Sequence, residues 1–164
     1  MDRALAIIPA RGGSKGIPRK NLLRLGGQTL IARTLRSAQE ATTLDRAVVT
    51  TDSQEIAKEV VGCEVIWRPA HLATDEAGMI PTLQHAVRWV EDQGEVYDLI
   101  VLLQPTSPFR TGPDIDETVR LVREEGADSA QTLVEAPCKP WSMSELDGDR
   151  VCHFYPAQAT SDRR

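Results

Sequence analysis

Residues 4–9, ALAIIP, are apolar at every position, on both of the faces that alternate along a β-strand. A strand of that kind needs cover above and below, so it belongs in a sheet with helices packed on both sides. Downstream, apolar runs of strand length alternate with amphipathic runs of helix length. Residues 29–41 place Leu30, Ile31, Thr34, Leu35 and Ala38 on one helical face, with Arg33, Arg36 and Glu40 elsewhere. Residues 47–51 (AVVTT) are the second predicted strand. Asp52 or Ser53 is expected to cap a short helix to Val61, with Asp52 and Glu55 at capping-box spacing. Residues 64–67 form a short strand and residues 79–92 a helix. Residues 98–103 (DLIVLL) are the most hydrophobic strand and are expected at the middle of the sheet. Pro113, followed by Asp114, Asp116 and Glu117, opens a helix to about Glu125. Residues 129–134 are read as one more strand. This order predicts a three-layer α/β domain with a mostly parallel sheet.

In such sheets ligands bind at the carboxyl ends of the strands, so the loops after Pro9, Thr51, Trp67 and Leu103 should share one rim. The first of them is unusual. IIPARGGSKGIPRKN, residues 7–21, follows a buried strand with Gly12, Gly13 and Gly16 and with the cations Arg11, Lys15, Arg19 and Lys20. Glycines let backbone N–H groups approach oxygens closely, and the cations supply charge, as in a phosphate-binding loop. It is not the GxxxxGK[ST] loop, because no Gly-Lys-Ser/Thr closes it. It is not GxGxxG either, because the glycines fall at the wrong spacing and Pro18 interrupts. What remains is enough positive charge for a triphosphate; the alternative is a solvated basic turn. The second unusual loop is LLQPTSPFR, residues 102–110, which delivers Gln104, Thr106, Ser107 and Arg110 to the same rim. Pro105 and Pro108 stiffen it; the alternative here is a proline-rich turn that only ends the strand.

Bulk properties narrow the ligand. The 164-residue chain has 24 acidic and 19 basic residues, a net charge of −5, which argues against a nucleic-acid surface and favours a small polyanion at the basic loop. Trp67, Trp89 and Trp141 are scattered and form no stacking platform. No apolar run approaches the ~20 residues needed to span a bilayer, so no membrane role is expected. Cys63, Cys138 and Cys152 are odd in number and lack CxxC spacing, which with no leader before the first strand suggests reduced thiols in a cytoplasmic protein. His71, His85 and His153 show no metal-ligand spacing. Asp52 is read as a helix cap rather than a ligand. Asp147 and Asp149, in LDGDR, are read as a polar hairpin turn.

Taken together, the two loops resemble the acylneuraminate cytidylyltransferase (CMP-sialic acid synthetase) family. The family opening, approximately IPARxGSKxxxxKN, matches Ile8 to Asn21 at every defined position. LQPTSPxR stands intact as Leu103 to Arg110, and the looser RPxxLA is present as Arg68, Pro69, Leu72 and Ala73. The Gly-Ser-Lys of the opening differs from the Ser-Thr-Arg typical of Kdo-activating relatives. The resemblance runs from the first residue to about residue 125.

It implies a Rossmann-like nucleotide-diphospho-sugar transferase fold. It further implies attack by the anomeric hydroxyl of a nine-carbon sugar acid on the α-phosphate of CTP, with Mg²⁺ assisting. Arg11 and Lys20 would hold the triphosphate, with Ser14 and Lys15 completing the cradle. Asn21 and Arg68 would contact the cytosine or ribose. Gln104 would contact the sugar acid, and Thr106 and Ser107 would shape that side. Some relatives carry a hydroxyl residue where this chain has Met79; Thr82 or Thr74 are the available substitutes. Family members run beyond residue 164, and their distal part supplies the rest of the sugar pocket, dimer contacts and an Asp-x-Asp pair for the metal. The expectation is therefore one cytidylyltransferase domain over residues 1–164, lacking that distal part, homodimeric by resemblance. A non-catalytic nucleotide-binding fragment, or an enzyme for another sugar, is the alternative.

Overall fold

β1 (Ala4–Pro9) is buried along its whole length, as its two apolar faces require. Its alternate residues feed two separate cores. Ala4, Ala6 and Ile8 pack with Ile31, Leu35 and Ala38 of α1 (Leu30–Glu40) and with Ile115 and Val119 of α4 (Gly112–Glu125). Leu5 and Ile7 face the other way, against Ala86 and Val90 of α3 (Met79–Glu91). Ile7 and Ile8 are fully buried, each contributing roughly 1.5–3 kcal/mol of transfer free energy. The α/β/α layering thus follows from the period-2 geometry of one strand.

A computed structural model describes residues 2–13, 16–133, 144–147 and 150–153, the last two segments as backbone. The chain divides into two units, Met1–Gln131 and Thr132–Arg164. In the first, β1 pairs in parallel with β4 (Arg46–Thr51) on one side and with β6 (Leu99–Leu102) on the other. β4 pairs in turn with β5 (Glu64–Trp67). The order β5-β4-β1-β6 makes the described sheet wholly parallel. A small antiparallel hairpin, β2 (Arg24–Leu25) with β3 (Gln28–Thr29), precedes α1. It turns on Gly26 and Gly27, both at positive φ (60° and 84°), as a two-residue turn of this kind demands. In the second unit β7 (Ser144–Asp147) pairs antiparallel with β8 (Arg150–His153). The hairpin expected at LDGDR is therefore present, while its tip at Gly148 and Asp149 lies outside the described residues.

Three expectations are corrected. The most hydrophobic strand, β6, lies at the edge of the described sheet and not at its middle; Ile100 is 41% exposed, and β1 and β4 hold the interior positions. Strand hydrophobicity reports how well the two faces are covered, and it carries no information on lateral order. Residues 129–133 form no strand, and Leu133 is exposed; Val134 lies outside the described residues. The cap of α2 (Gln54–Glu59) is Ser53, whose hydroxyl accepts from the Ile56 N–H, and the Asp52–Glu55 capping box does not form. A capping box does form at α4, between Thr111 and Asp114, with Pro113 in the first turn. Cys63 is a free thiol, and burial pushes its pKa up to about 11, so it is inert packing.

Candidate active site

The chain runs β1, β4, β5 outward in one direction and then places β6 on the opposite side of β1. The carboxyl ends of β1 and β6 therefore flank a topological switch point, where open α/β sheets form their ligand crevice. The two loops singled out by sequence leave from those two strand ends. A cavity of about 220 Å³ opens there. Its walls include Arg11, Lys20, Asn21, Arg68, Gln104 and Thr106, six of the nine residues expected at the site. Ser107 is not among the lining residues; its N–H donates to the Gln104 carbonyl (3.2 Å) and it shapes the loop from within. Ser14 and Lys15 lie outside the described residues.

The base of the opening loop is held by backbone geometry. The ladder continues past β1 through the Ala10 N–H to the Thr50 carbonyl, 3.0 Å. Gly12 then donates its N–H to Asp52 Oδ1, 2.8 Å. Here Asp52 does the work that a cap reading missed: it ties the loop to the end of β4. Gly12 lies so close to α2 that a Cβ would meet the Ser53 Cβ at 2.9 Å. Around Gly13 and Gly16 the space is open.

Arg11 projects from this anchored stretch. Its guanidinium donates to the Thr74 carbonyl (2.7 Å) and pairs with Asp75 (2.6 Å). Asn21 is 8% exposed and its amide donates to the Arg11 carbonyl at 3.0 Å; it acts as a strut while still lining the cavity. Lys20 opens a 3-10 turn, Lys20–Leu22, entered through Arg19 at φ 54°. Arg19 itself pairs with Glu55. The Lys20 ammonium has no side-chain partner among the described residues and stands at the cavity wall.

Arg68 is the buried cation of the site, 9% exposed. Its backbone N–H donates to the Thr51 carbonyl (2.9 Å) as β5 ends. Its guanidinium donates to the Thr50 carbonyl (2.8 Å) and, more weakly, to Thr50 Oγ1 (3.4 Å). Burial pulls its pKa below the ordinary value; Asp52 opposes that shift and Arg11 adds to it. A desolvated cation with three of its five side-chain donors unpaired among the described residues attracts an anion or a carbonyl more strongly than a surface one.

On the far wall the segment after β6 folds as two consecutive turns, Ser107 N–H to Gln104 carbonyl and Arg110 N–H to Ser107 carbonyl. Helix α1 clamps it from below. Arg33 donates to the Pro108 carbonyl (3.0 Å) and Ser37 to the Arg110 carbonyl (2.6 Å). Burial pulls the Arg110 guanidinium below its ordinary pKa, with Asp114 opposing. Met79, Thr74 and Thr82 all line the cavity. Both hydroxyls are partly engaged: Thr82 donates to the Gly78 carbonyl (3.3 Å) and Thr74 accepts from the Ala77 N–H (3.2 Å).

Sequence reasoning missed Asp75, Thr50, Arg33 and Ser37. Asp75 follows RPAHLAT directly, so the motif could have been extended to it. The others gave no local signal. Among the described residues no group of three or more His, Cys, Asp or Glu side chains could hold a metal ion, and no helix is long and apolar enough to cross a membrane.

Comparison with known proteins agrees with this architecture. The chain is 40% identical over 121 residues to the N-acylneuraminate cytidylyltransferase of Escherichia coli O18:K1:H7, an alignment covering 73% of this chain and 28% of that protein. It is 40% identical over 127 residues to the CMP-N,N'-diacetyllegionaminic acid synthase of Legionella pneumophila, covering 76% of this chain and 55% of the relative. The chain thus spans between about a quarter and about half of the length of these relatives. Among solved structures, a CMP-2-keto-3-deoxy-manno-octonic acid synthetase complexed with CTP superposes with a TM-score of 0.61 at 24% identity, over 76% of this chain and 49% of that one, a likeness of fold. The cytidylyltransferase family profile matches residues 5–144. Matched from its first core strand onward, and carrying both loop motifs on one rim of a parallel sheet, this chain belongs to the cytidylyltransferase family.

Proposed function

We propose that the chain carries the nucleotide-binding part of an enzyme that activates a sialic-acid-like nine-carbon sugar acid with CTP. The sugar's anomeric hydroxyl gives up its proton to solvent as its oxygen forms a bond to the α-phosphorus, the bond from that phosphorus to the bridging oxygen breaks, and pyrophosphate leaves with the electron pair. The observation that carries the reading is the convergence of Arg11, Lys20 and Arg68 with Gln104 and Thr106 on one cavity at the switch point. A triphosphate carries about four negative charges, and charge builds on the leaving group in such a displacement, so cations fixed beforehand are the main requirement.

In this reading Arg11 and Lys20 hold the triphosphate, with Ser14 and Lys15 completing the cradle. Arg68 and Asn21 face the cytidine, while Gln104, Thr106 and Ser107 belong to the sugar side. Mg²⁺ is the expected counter-ion of the triphosphate; among the described residues no group of three or more His, Cys, Asp or Glu side chains could hold it by themselves. A cytoplasmic location and a homodimer belong to the same reading. In this reading residues 1–164 belong to one cytidylyltransferase domain.

The test is pyrophosphate release with each of the four nucleoside triphosphates and a panel of nine-carbon sugar acids. Turnover with CTP and a sialic-acid-like acid is expected. Turnover only with GTP or UTP and a neutral sugar phosphate would refute the assignment. A second reading is a nucleotide-binding module without turnover. Calorimetry separates the two, since CTP binding without product at any sugar concentration selects the module.

A further inference from the structure

We propose that Asp75 is a positioning residue for Arg11, and so sets how firmly the cavity holds the phosphates of a nucleotide. The inference rests on the CTP reading above and adds to it a residue outside the three motifs.

The main chain at Arg11 is fixed on both sides. The Ala10 N–H donates to the Thr50 carbonyl, the Gly12 N–H to Asp52, and the Arg11 carbonyl accepts from Asn21. The side chain is another matter. A free arginine side chain samples many rotamers, and a guanidinium that must find a phosphate from among them binds it poorly. In this structure the end of the side chain is gripped. One terminal nitrogen donates to the Thr74 carbonyl at 2.7 Å, the other to Asp75 at 2.6 Å. Both charged side chains are 29% exposed, so the pair is partly shielded from water and from screening salt. Arg11, Thr74 and Asp75 all line the cavity.

The grip does not exhaust the cation. A guanidinium has five N–H donors. Two are used here, and the Nε–H and one hydrogen on each terminal nitrogen have no partner among the described residues. A phosphate can therefore take a forked pair of charge-assisted bonds while Thr74 and Asp75 keep the group in place. The opposite arrangement would have Asp75 as a stand-in for phosphate that the ligand must expel. The two differ in sign: removing a positioning carboxylate weakens nucleotide binding, and removing a stand-in tightens it.

Calorimetric titration of the chain with CTP and with cytidine decides between them. Asp75→Ala is expected to weaken CTP about tenfold and to leave cytidine, which has no phosphate, unchanged. Asp75→Asn keeps an acceptor oxygen for Arg11 and should stay within about threefold of wild type. In an Arg11→Ala background, Asp75→Ala should cost nothing further, a coupling that a merely structural role would not produce. Equal or tighter CTP binding by Asp75→Ala overturns the proposal, as do losses that add in the double variant. If wild type takes up neither CTP nor cytidine, the CTP reading falls and this inference falls with it. If wild type takes up CTP and Asp75→Ala does so equally well, only this inference falls.

Discussion

Arg11 and Lys20 face the same cavity but are held by different means. Arg11 is gripped at its tip by Thr74 and Asp75. Lys20 is placed by its backbone: the residue before it, Arg19, sits at φ 54°, a left-handed conformation that costs a non-glycine residue roughly 1–2 kcal/mol. The ion pair from Arg19 to Glu55 and the 3-10 bonds that follow hold that conformation in place. On this geometry Lys20→Ala should lower kcat/KM for CTP by about 10²–10³-fold, or about 3 kcal/mol of transition-state stabilisation; an unchanged kcat/KM in steady-state assays would remove Lys20 from the site. His85, on α3, behaves differently. Its Nδ1 is buried without a hydrogen-bond partner among the described residues, and burial, then Arg68, then His71 push its pKa below the ordinary 6.5. A depressed folded-state pKa means that the unfolded chain takes up the proton first. The contribution of a neutral His85 to stability is therefore complete above pH 6.5 and is lost as pH falls toward the lower folded value. Thermal melts from pH 7.5 to 5.5, these limits being chosen about one unit either side of an ordinary histidine, should fall less steeply for His85→Gln than for wild type. Parallel curves would exclude His85 as the source.

At the level of elements, α1 is the beam on which the loop after β6 rests. Thr29 caps it by accepting from the Ala32 N–H, and its polar face then offers Arg33 and Ser37 to the carbonyls of Pro108 and Arg110. Arg33 also donates to the Leu25 carbonyl of the β2–β3 hairpin, 3.2 Å, so one side chain links the second motif loop to the hairpin that follows the first. Helix α4 packs so closely on the end of α1 that a Cβ at Gly112 would lie 2.8 Å from the Glu40 carbonyl carbon; no larger residue fits without moving backbone. Arg33→Ala should accelerate amide exchange at residues 104–110 by about tenfold, leaving β1 protected, since loops held by few contacts open independently of the core. Exchange unchanged in that segment would show that Ser37 and the two prolines suffice. Little of this clamp was legible in the sequence. The amphipathic stripe of α1 placed Arg33 off the core face, but nothing local says that a residue 75 positions away needs its hydrogen bond.

Across the whole molecule, the charge distribution sets the ligand class. A chain of net charge −5 concentrates Arg11, Lys20 and Arg68 at one cavity, so its attraction for an anionic ligand is local and short-ranged. CTP affinity should weaken severalfold between about 0.05 and 0.5 M salt, because the Debye length shrinks from roughly 14 to 4 Å over that range. Cytidine affinity should stay level; equal salt dependence for both ligands in calorimetry would argue that the cations do not contact phosphate.

What the sequence by itself determined was local in origin. The two apolar faces of residues 4–9 demanded helices above and below a sheet, and the alternation of periods placed both motif loops at strand ends on one rim. Glycine, proline and the caps marked where those loops begin and end. The tertiary structure alone decided the lateral order that moves β6 to the edge of the described sheet and leaves the switch point between it and β1. It also decided which polar side chains serve as supports: Asn21 under Arg11, Asp52 on Gly12, Thr50 beneath Arg68 and Asp75 at the tip of Arg11. Periodicity and turn chemistry act between near neighbours along the chain. Strand order and most of these hydrogen bonds join residues that only the folded backbone brings within 3 Å or so, and no pattern of residue types records that distance in advance.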